Sequence, residues 1–373
     1  MKKIVMFFGS DRAFVERIPK AYRNLSDIAM QMDDENKQMQ LVLVGLPGNE
    51  NAPSKTKKPK IKVNNFVIFA DEYSSVNEHV IINFLSFISK LSITNMYIQN
   101  PPIHLQEQIK RAFGDLNIIE EIPQKYNMVT EKTIRSINIE FDKRVIGQQA
   151  VKEQILKAIF PIMNNVQCKP IVLLFYGNSG IGKTETAQFL TEQIGGKILR
   201  KQFSMYQNNE FANYLFGGKY NEKSFAKDLI ARDSNVILLD EFDKAYSVFH
   251  SAFYQLFDEG IYEDQNYRVD VRHAIIICTS NYKSKDEIKE KLGDPIFNRF
   301  DGVIKFEDLS QEAKKMIAAK ELKELDEEKI IPENVRKILV EQSTKLENAR
   351  EIRKLIKDTK SLIEIREILK LSL

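Results

Sequence analysis

Gly177-Asn178-Ser179-Gly180-Ile181-Gly182-Lys183-Thr184 follows the spacing G-x-x-x-x-G-K-T. An apolar, strand-like run (Ile171–Tyr176) leads directly into it, and a helical pattern (Thr184–Ile194) leads out of it. The chemistry of polyphosphate binding needs that context. The glycines let the backbone wrap around an anion with its N–H groups pointing inward, and the helix that follows presents its positive N-terminus to the same charge. Lys183 is expected to reach the β- and γ-phosphates, and the Thr184 hydroxyl to coordinate Mg²⁺. The candidate ligand-binding run is therefore Gly177, Asn178, Ser179, Gly180, Ile181, Gly182, Lys183, Thr184 and Glu185, with ATP and Mg²⁺ as the cofactors.

Two further apolar runs end in polar residues. Val236–Leu239 is followed by Asp240 and Glu241. That is the pattern of a buried parallel strand with acids at its carboxyl end, the edge where open α/β sheets bind ligands. Downstream of a phosphate loop, Asp240 is expected to orient Mg²⁺ and its waters, and Glu241 to polarise an attacking water as general base. Ala274–Cys278 is followed by Thr279, Ser280 and Asn281. A neutral polar group there could hold the lytic water or the γ-phosphate; read alone, it is also simply a strand running into a turn.

The elements that position these residues read as two α/β regions. At 373 residues the chain exceeds the size of most single cores. Residues 1–125 alternate strand-like runs (Lys3–Phe8, Leu41–Leu46, Asn65–Ala70, Met96–Gln99, Asn117–Ile119) with helical spacing (Ala13–Met30, Val80–Leu91, Leu105–Phe113), which predicts a parallel sheet. Residues 126–140 are expected to be a linker, 141–308 the nucleotide-binding α/β domain, and 309–373 a helical lid with helices over Gln311–Leu325, Pro332–Ser343, Asn348–Lys357 and Ser361–Leu371. In the first region Asp11, Asp71 and Glu72 fall near strand ends, where acids can bind metal or substrate, although loops after strands are polar for ordinary reasons. His79 and His104 have no spacing that suggests a metal site.

The bulk properties exclude rather than identify. The net charge of +3 gives no general support for nucleic-acid binding. One local exception is the loop carrying Lys55, Lys57, Lys58, Lys60 and Lys62, which reads either as a solvated loop or as a phosphate- or nucleic-acid-contacting one. Two distant cysteines, Cys168 and Cys278, make neither a disulfide framework nor a zinc pattern. The apolar start is cut by Asp11 and Arg12, and no stretch approaches a membrane span. A cytoplasmic protein without membrane contact is expected.

Together the motifs resemble the AAA+ ATPases, and within them the Clp family, from about Phe141 to at least Arg353. Val145–Ile159 (VIGQQAVKEQILKAI) resembles the family's entry segment, which implies that Val145 and Ile146 line the adenine pocket. Phe203–Gln207, Asp240–Ala245 (D-E-x-x-K-A), Asp258–Arg272 and Thr279-Ser280-Asn281 match later segments, with Asn281 as the first sensor. Pro295–Asp301 resembles the family's P-x-F-x-N-R-x-D, one residue shorter. It implies that Arg299 is an arginine finger reaching a neighbouring subunit's nucleotide. Asn348-Ala349-Arg350 resembles G-A-R, with Asn in place of Gly, and implies Arg350 as the second sensor in cis.

One segment departs from the family. Where Clp unfoldases carry a polypeptide-gripping loop with a G-Y-V-G core, Leu215–Leu229 is shorter and lacks it. Tyr220 reads either as a residual gripping aromatic or as part of an exposed loop. Three functions follow from the resemblance. The first is a ring-forming ATPase, a hexamer, that remodels or translocates a protein substrate selected by the N-terminal domain. The second is an ATP-controlled oligomeric switch with an N-terminal sensor or effector. The third is a nucleic-acid loader, supported only by the lysine loop.

Overall fold

The three apolar runs that end in polar residues are neighbours in one parallel sheet. The computed structural model describes residues 1–44, 59–163, 169–205, 210–245, 247–328 and 330–369. These pack as two compact units. One comprises Met1–Tyr126, Asn209–Asp233 and Tyr262–Asp270; the other comprises Asn127–Asn208, Ser234–Ile261 and Val271–Leu373.

The strands of the first unit's main sheet are β1 (Lys3–Phe8), β2 (Arg23–Asn24), β3 (Ile61–Ile68), β4 (Leu91–Gln99) and β5 (Ile119–Pro123), in the order β2-β3-β4-β1-β5. All described pairings are parallel. Ile4, Met6, Phe66, Ile68, Met96 and Ile98 form the core with Ile81, Phe84 and Leu105 from the helices.

The α/β class holds, but several boundaries differ from expectation. Leu41–Val44 is the end of a helix, Leu25–Val44, and not a strand; residues 45 and 46 lie outside the described residues. An apolar run of that length fits either state, and here the preceding MQMDDENKQMQ stretch, which holds no Gly or Pro, runs into it without a breaker. The second strand is instead the two-residue β2. The helix expected over Ala13–Met30 is broken: Asp11–Val15 is helical, and Pro19 denies Ile18 the helical region before β2 begins. The helix expected over Val80–Leu91 is two short ones, Glu78–Ile82 and Phe84–Ser89, and Leu91 already belongs to β4. The last strand starts at Ile119 rather than Asn117. Of the loop lysines, Lys60 and Lys62 are exposed, while Lys55, Lys57 and Lys58 lie outside the described residues.

The second unit's sheet contains β6 (Ile171–Tyr176), β7 (Leu199–Gln202), β8 (Val236–Asp240), β11 (Ile275–Thr279) and β12 (Gly302–Lys305), in the order β12-β6-β11-β8-β7, all parallel. A small hairpin, β9 (Ile261–Glu263) with β10 (Arg268–Asp270), lies between β8 and β11 in the chain. Every residue of β6, β8 and β11 is buried, which explains runs that are apolar without alternation: both faces of these strands are covered. One face packs on helices Glu131–Arg144, Gln149–Met163 and Lys183–Ile194 through Ile137, Phe141, Val151, Ile155, Ala187 and Leu190. Phe203, Phe242, Phe253 and Phe257 make a separate aromatic cluster. Cys278 is buried within β11, and burial pushes its thiol up; Cys168 lies outside the described residues.

Among the described residues the lid has three helices, Gln311–Leu325, Glu333–Ser343 and Ala349–Ile368, around Ala318, Leu322, Leu339, Ile352 and Ile356. The last two expected helices are one, because no breaker separates Lys357 from Ser361. No helix among the described residues is long and apolar enough to cross a membrane.

Candidate functional site

Because the strands run parallel, β6, β7, β8 and β11 deliver their carboxyl ends to one edge of the second unit's sheet. After β6 the chain turns through Gly177 (φ +132°) and Gly180 (φ +74°), both in the left-handed region. At Gly177 a Cβ would sit 2.5 Å from the Phe306 carbonyl oxygen, so only glycine fits there. The helix Lys183–Ile194 then starts from Gly182.

A cavity of about 580 Å³ opens over this turn. That is within the size range of small-molecule sites. Lys183, Thr184, Asp240, Glu241, Thr279 and Asn281 line it, together with the apolar Val145, Ile146, Leu309 and Ile317. Ser179, Gly180, Ile181, Gly182 and Glu185 line it, as does Arg350 from the lid. Gly177 and Asn178 do not line it, but their carbonyls accept hydrogen bonds from Lys183 Nζ at 2.6 and 2.7 Å. Arg299 is not among the lining residues.

The hydrogen bonds explain the placement of each group. Lys183 Nζ also donates to Asn281 Oδ1 at 3.2 Å, joining the phosphate loop to the end of β11. Burial lowers the Lys183 pKa to about 8, opposed by Asp243 and Asp240, which raise it. Arg350 Nη1 donates to Ser179 Oγ at 2.9 Å. Asn348, the residue that departs from G-A-R, caps the lid helix by accepting from the Arg350 and Glu351 amides. Asn in that position thus starts the helix that carries Arg350. Gln148 ties the entry segment to the loop, donating to the carbonyls of Ile181 (3.2 Å) and Glu307 (2.8 Å).

Three residues that the sequence alone did not connect to the acids contact them. Arg200, on β7, donates through Nε (3.0 Å) and Nη2 (2.5 Å) to Asp240 Oδ2. Thr279 Oγ1 donates to Asp240 Oδ1 at 2.5 Å and accepts from the Glu241 amide at 2.9 Å. Glu241 sits at φ +55°, a left-handed conformation that non-glycine residues seldom adopt, and the Thr279 contact holds it there. Gln202 donates to Glu241 Oε2 at 3.2 Å. Replacing Thr279 with Val keeps the shape but orphans the Glu241 amide and removes a donor from Asp240. Turnover is expected to fall about 10–100-fold, as when a group orienting an active residue is lost. Steady-state phosphate release measures this, and unchanged turnover would contradict the positioning role.

Arg299 lies against Asp258 (Nε 2.9 Å, Nη2 2.8 Å), donates to the Pro295 carbonyl at 2.6 Å, and stacks 4.2 Å over Tyr254. Tyr220 is half-buried and packs on the core of the first unit. Glu72, one of the acids near strand ends, is buried and accepts from the Ser26 and Phe69 amides at 2.9 and 3.0 Å, a structural use of its charge.

Comparison with known proteins shows what this part of the chain resembles. The family model of the AAA domain (Cdc48 subfamily) matches residues 169–338, which contain the phosphate loop, both acids and Arg299. This part of the chain resembles an AAA+ ATPase module of the Clp family. It is 33% identical over 163 residues to the AAA+ ATPase ClpV1 of Pseudomonas aeruginosa, covering 40% of this chain and 18% of the relative. It is 27% identical over 259 residues to the ATP-dependent Clp protease ATP-binding subunit ClpE of Bacillus subtilis, covering 60% and 36%. With the chaperone protein ClpB of Yersinia enterocolitica the identity is 30% over 184 residues, covering 46% and 19%. The matched part of each relative is thus a little over a third of its length or less. The parallel core and the C-terminal helices bring Lys183, Thr184, Asp240, Glu241, Asn281 and Arg350 to one cavity.

The residues present suit a Mg²⁺–nucleotide pair. Among the described residues no three His, Cys, Asp or Glu gather into a cage for a metal. Mg²⁺ on a nucleotide needs none, since it takes one or two protein ligands and fills its shell with phosphate oxygens and water. Thr184 and Asp240 line the same cavity and carry oxygens that would serve as that set.

Proposed function

We propose that this chain hydrolyses ATP as a ring, a hexamer, in the cytoplasm, and uses the energy to remodel or translocate a protein substrate selected by the N-terminal α/β fold. The observation that carries the reading is the convergence of Lys183, Thr184, Asp240, Glu241, Asn281 and Arg350 on one cavity. The relatives named as a Clp protease ATP-binding subunit and a chaperone support the protein-directed work.

In this reading Val145 and Ile146 contact the base, and the loop Gly177–Thr184 with Glu185 cradles the phosphates. Lys183 and Arg350 balance the γ-phosphate charge. Glu241 takes the proton of the attacking water, oriented by Thr279 and Gln202, while Asn281 holds that water or the phosphate. Thr184 and Asp240 hold Mg²⁺, which neutralises charge on the phosphate oxygens when bound. Arg299 completes the site of the next subunit.

The direct test is Lys183→Ala, with ATP binding followed by fluorescence titration. Binding is expected to be lost; tight binding by the variant would refute the phosphate loop.

One observation favours the second reading, an ATP-controlled switch with an N-terminal sensor or effector. The candidate gripping residue, Tyr220, packs on its own chain's core. The loader reading rests on the lysine loop alone. Lys60 and Lys62 add nothing to it beyond exposure.

A further inference from the structure

The segment between the phosphate loop and the acid strand is tied down at several points. Tyr220 packs on the core made by the N-terminal strands and helices. Burial raises its hydroxyl pKa, and Glu78 adds to the rise. Lys227 Nζ donates to the carbonyls of Tyr220 (2.5 Å) and Glu222 (2.7 Å), and Asn266 Nδ2 donates to that of Gly218 (2.7 Å). The turn at Gly217 (φ +86°) lies so close to Gln265 that a Cβ would come within 2.9 Å of its amide nitrogen. A second set of contacts joins the same elements to the N-terminal fold. The Ile103 amide donates to the Asn266 carbonyl at 2.8 Å. The Arg232 guanidinium stacks 4.1 Å over Tyr126.

A loop that pulls polypeptide must have its aromatic exposed and its backbone free to move. Here the aromatic is half-buried and three successive carbonyl anchor points, Gly218, Tyr220 and Glu222, are held by side chains. The chain positions of these elements are as informative as their contacts. Residues 210–233 lie between Gln202, which bonds Glu241, and β8, which ends in Asp240. The β9–β10 hairpin lies between Asp258, the partner of Arg299, and β11, which ends at Thr279.

We infer that residues 210–233 and the 261–270 hairpin couple the nucleotide site to the N-terminal sheet, with Tyr220 as an anchor on that sheet's core rather than a grip on a threaded chain. The inference rests on the nucleotide-site reading above, because it requires ATP to bind at Lys183. Its content is a destination for the work: nucleotide state is read out at the N-terminal fold of the same chain.

Hydrogen exchange by mass spectrometry on the full-length Glu241→Gln chain, with and without Mg-ATP, tests it. Peptides over 177–185 report binding, and peptides over 78–113 report the N-terminal response. Both sets are expected to change with ATP. Adding Tyr220→Ala should abolish the change in 78–113 and keep the change in 177–185, while Tyr220→Phe should retain both. If Tyr220→Ala does not fold, Lys227→Met, which frees the carbonyls and leaves the ring in place, should weaken the response in 78–113. A response confined to 177–185 in the parent chain would overturn the coupling and leave the nucleotide site standing. No response in either set would overturn both. A response in 78–113 that survives Tyr220→Ala would remove Tyr220 as the anchor.

Discussion

Arg299→Ala is expected to bind ATP with nearly unchanged affinity and to lose turnover by about 10³–10⁵-fold, the range for removing an arginine finger. That is about 4–7 kcal/mol of transition-state stabilisation. Affinity should survive because Arg299 does not line its own chain's cavity, whereas Lys183, Ser179 and Arg350 do. The side chain is also already ordered: Asp258, the Pro295 carbonyl and the Tyr254 ring all contact the guanidinium. A positioned charge needs little reorganisation as charge develops on the transferred group, which is why its loss should appear in turnover. Phosphate release and a binding titration on the same preparation separate the two effects. A loss of affinity equal to the loss of turnover would mean that Arg299 contributes to ground-state binding.

Glu241→Gln should likewise bind ATP and turn over about 10²–10⁴-fold more slowly, the span expected for a general base. Gln is isosteric and keeps the amide contact to Thr279 and a polar partner for Gln202, so the fold of the site should be preserved. It lacks only the ability to accept the water's proton. Single-turnover hydrolysis measures this step without product release. Near-wild-type rates would move the base role away from Glu241.

These two expectations draw on different amounts of sequence information. Gly177–Thr184, β6, β8 and β11 could be read from local pattern, because a strand buried on both faces is apolar throughout and its polar end marks the ligand edge. The sheet order of the second unit could not be read that way, and so neither could Arg200. Its pairing with Asp240 exists only because β7 and β8 are neighbours in register, Gln202 opposite Asp240. Thr279 was visible as part of a motif, yet its two bonds to the acid pair depend on β8 and β11 lying side by side. In the N-terminal region the apolar run at Leu41–Val44 had no turn signal before it, and helix and strand look alike under that condition. The burial of Tyr220 left no local trace at all. Residues 209–233 group with residues 1–126 through contacts distant in sequence, and a Gly-Gly-Lys-Tyr stretch reads as an exposed loop whatever it packs on.

The central claim is that ATP is hydrolysed at a site whose Glu241 comes from one subunit and whose Arg299 comes from the next. Mixing the Glu241→Gln and Arg299→Ala chains and measuring phosphate release tests it most directly. Each variant alone should be nearly inactive, and the mixture should regain activity, since some interfaces then pair an intact Glu241 with an intact Arg299. A mixture no more active than the sum of its parts, in chains shown by light scattering to assemble with each other, would contradict the shared site.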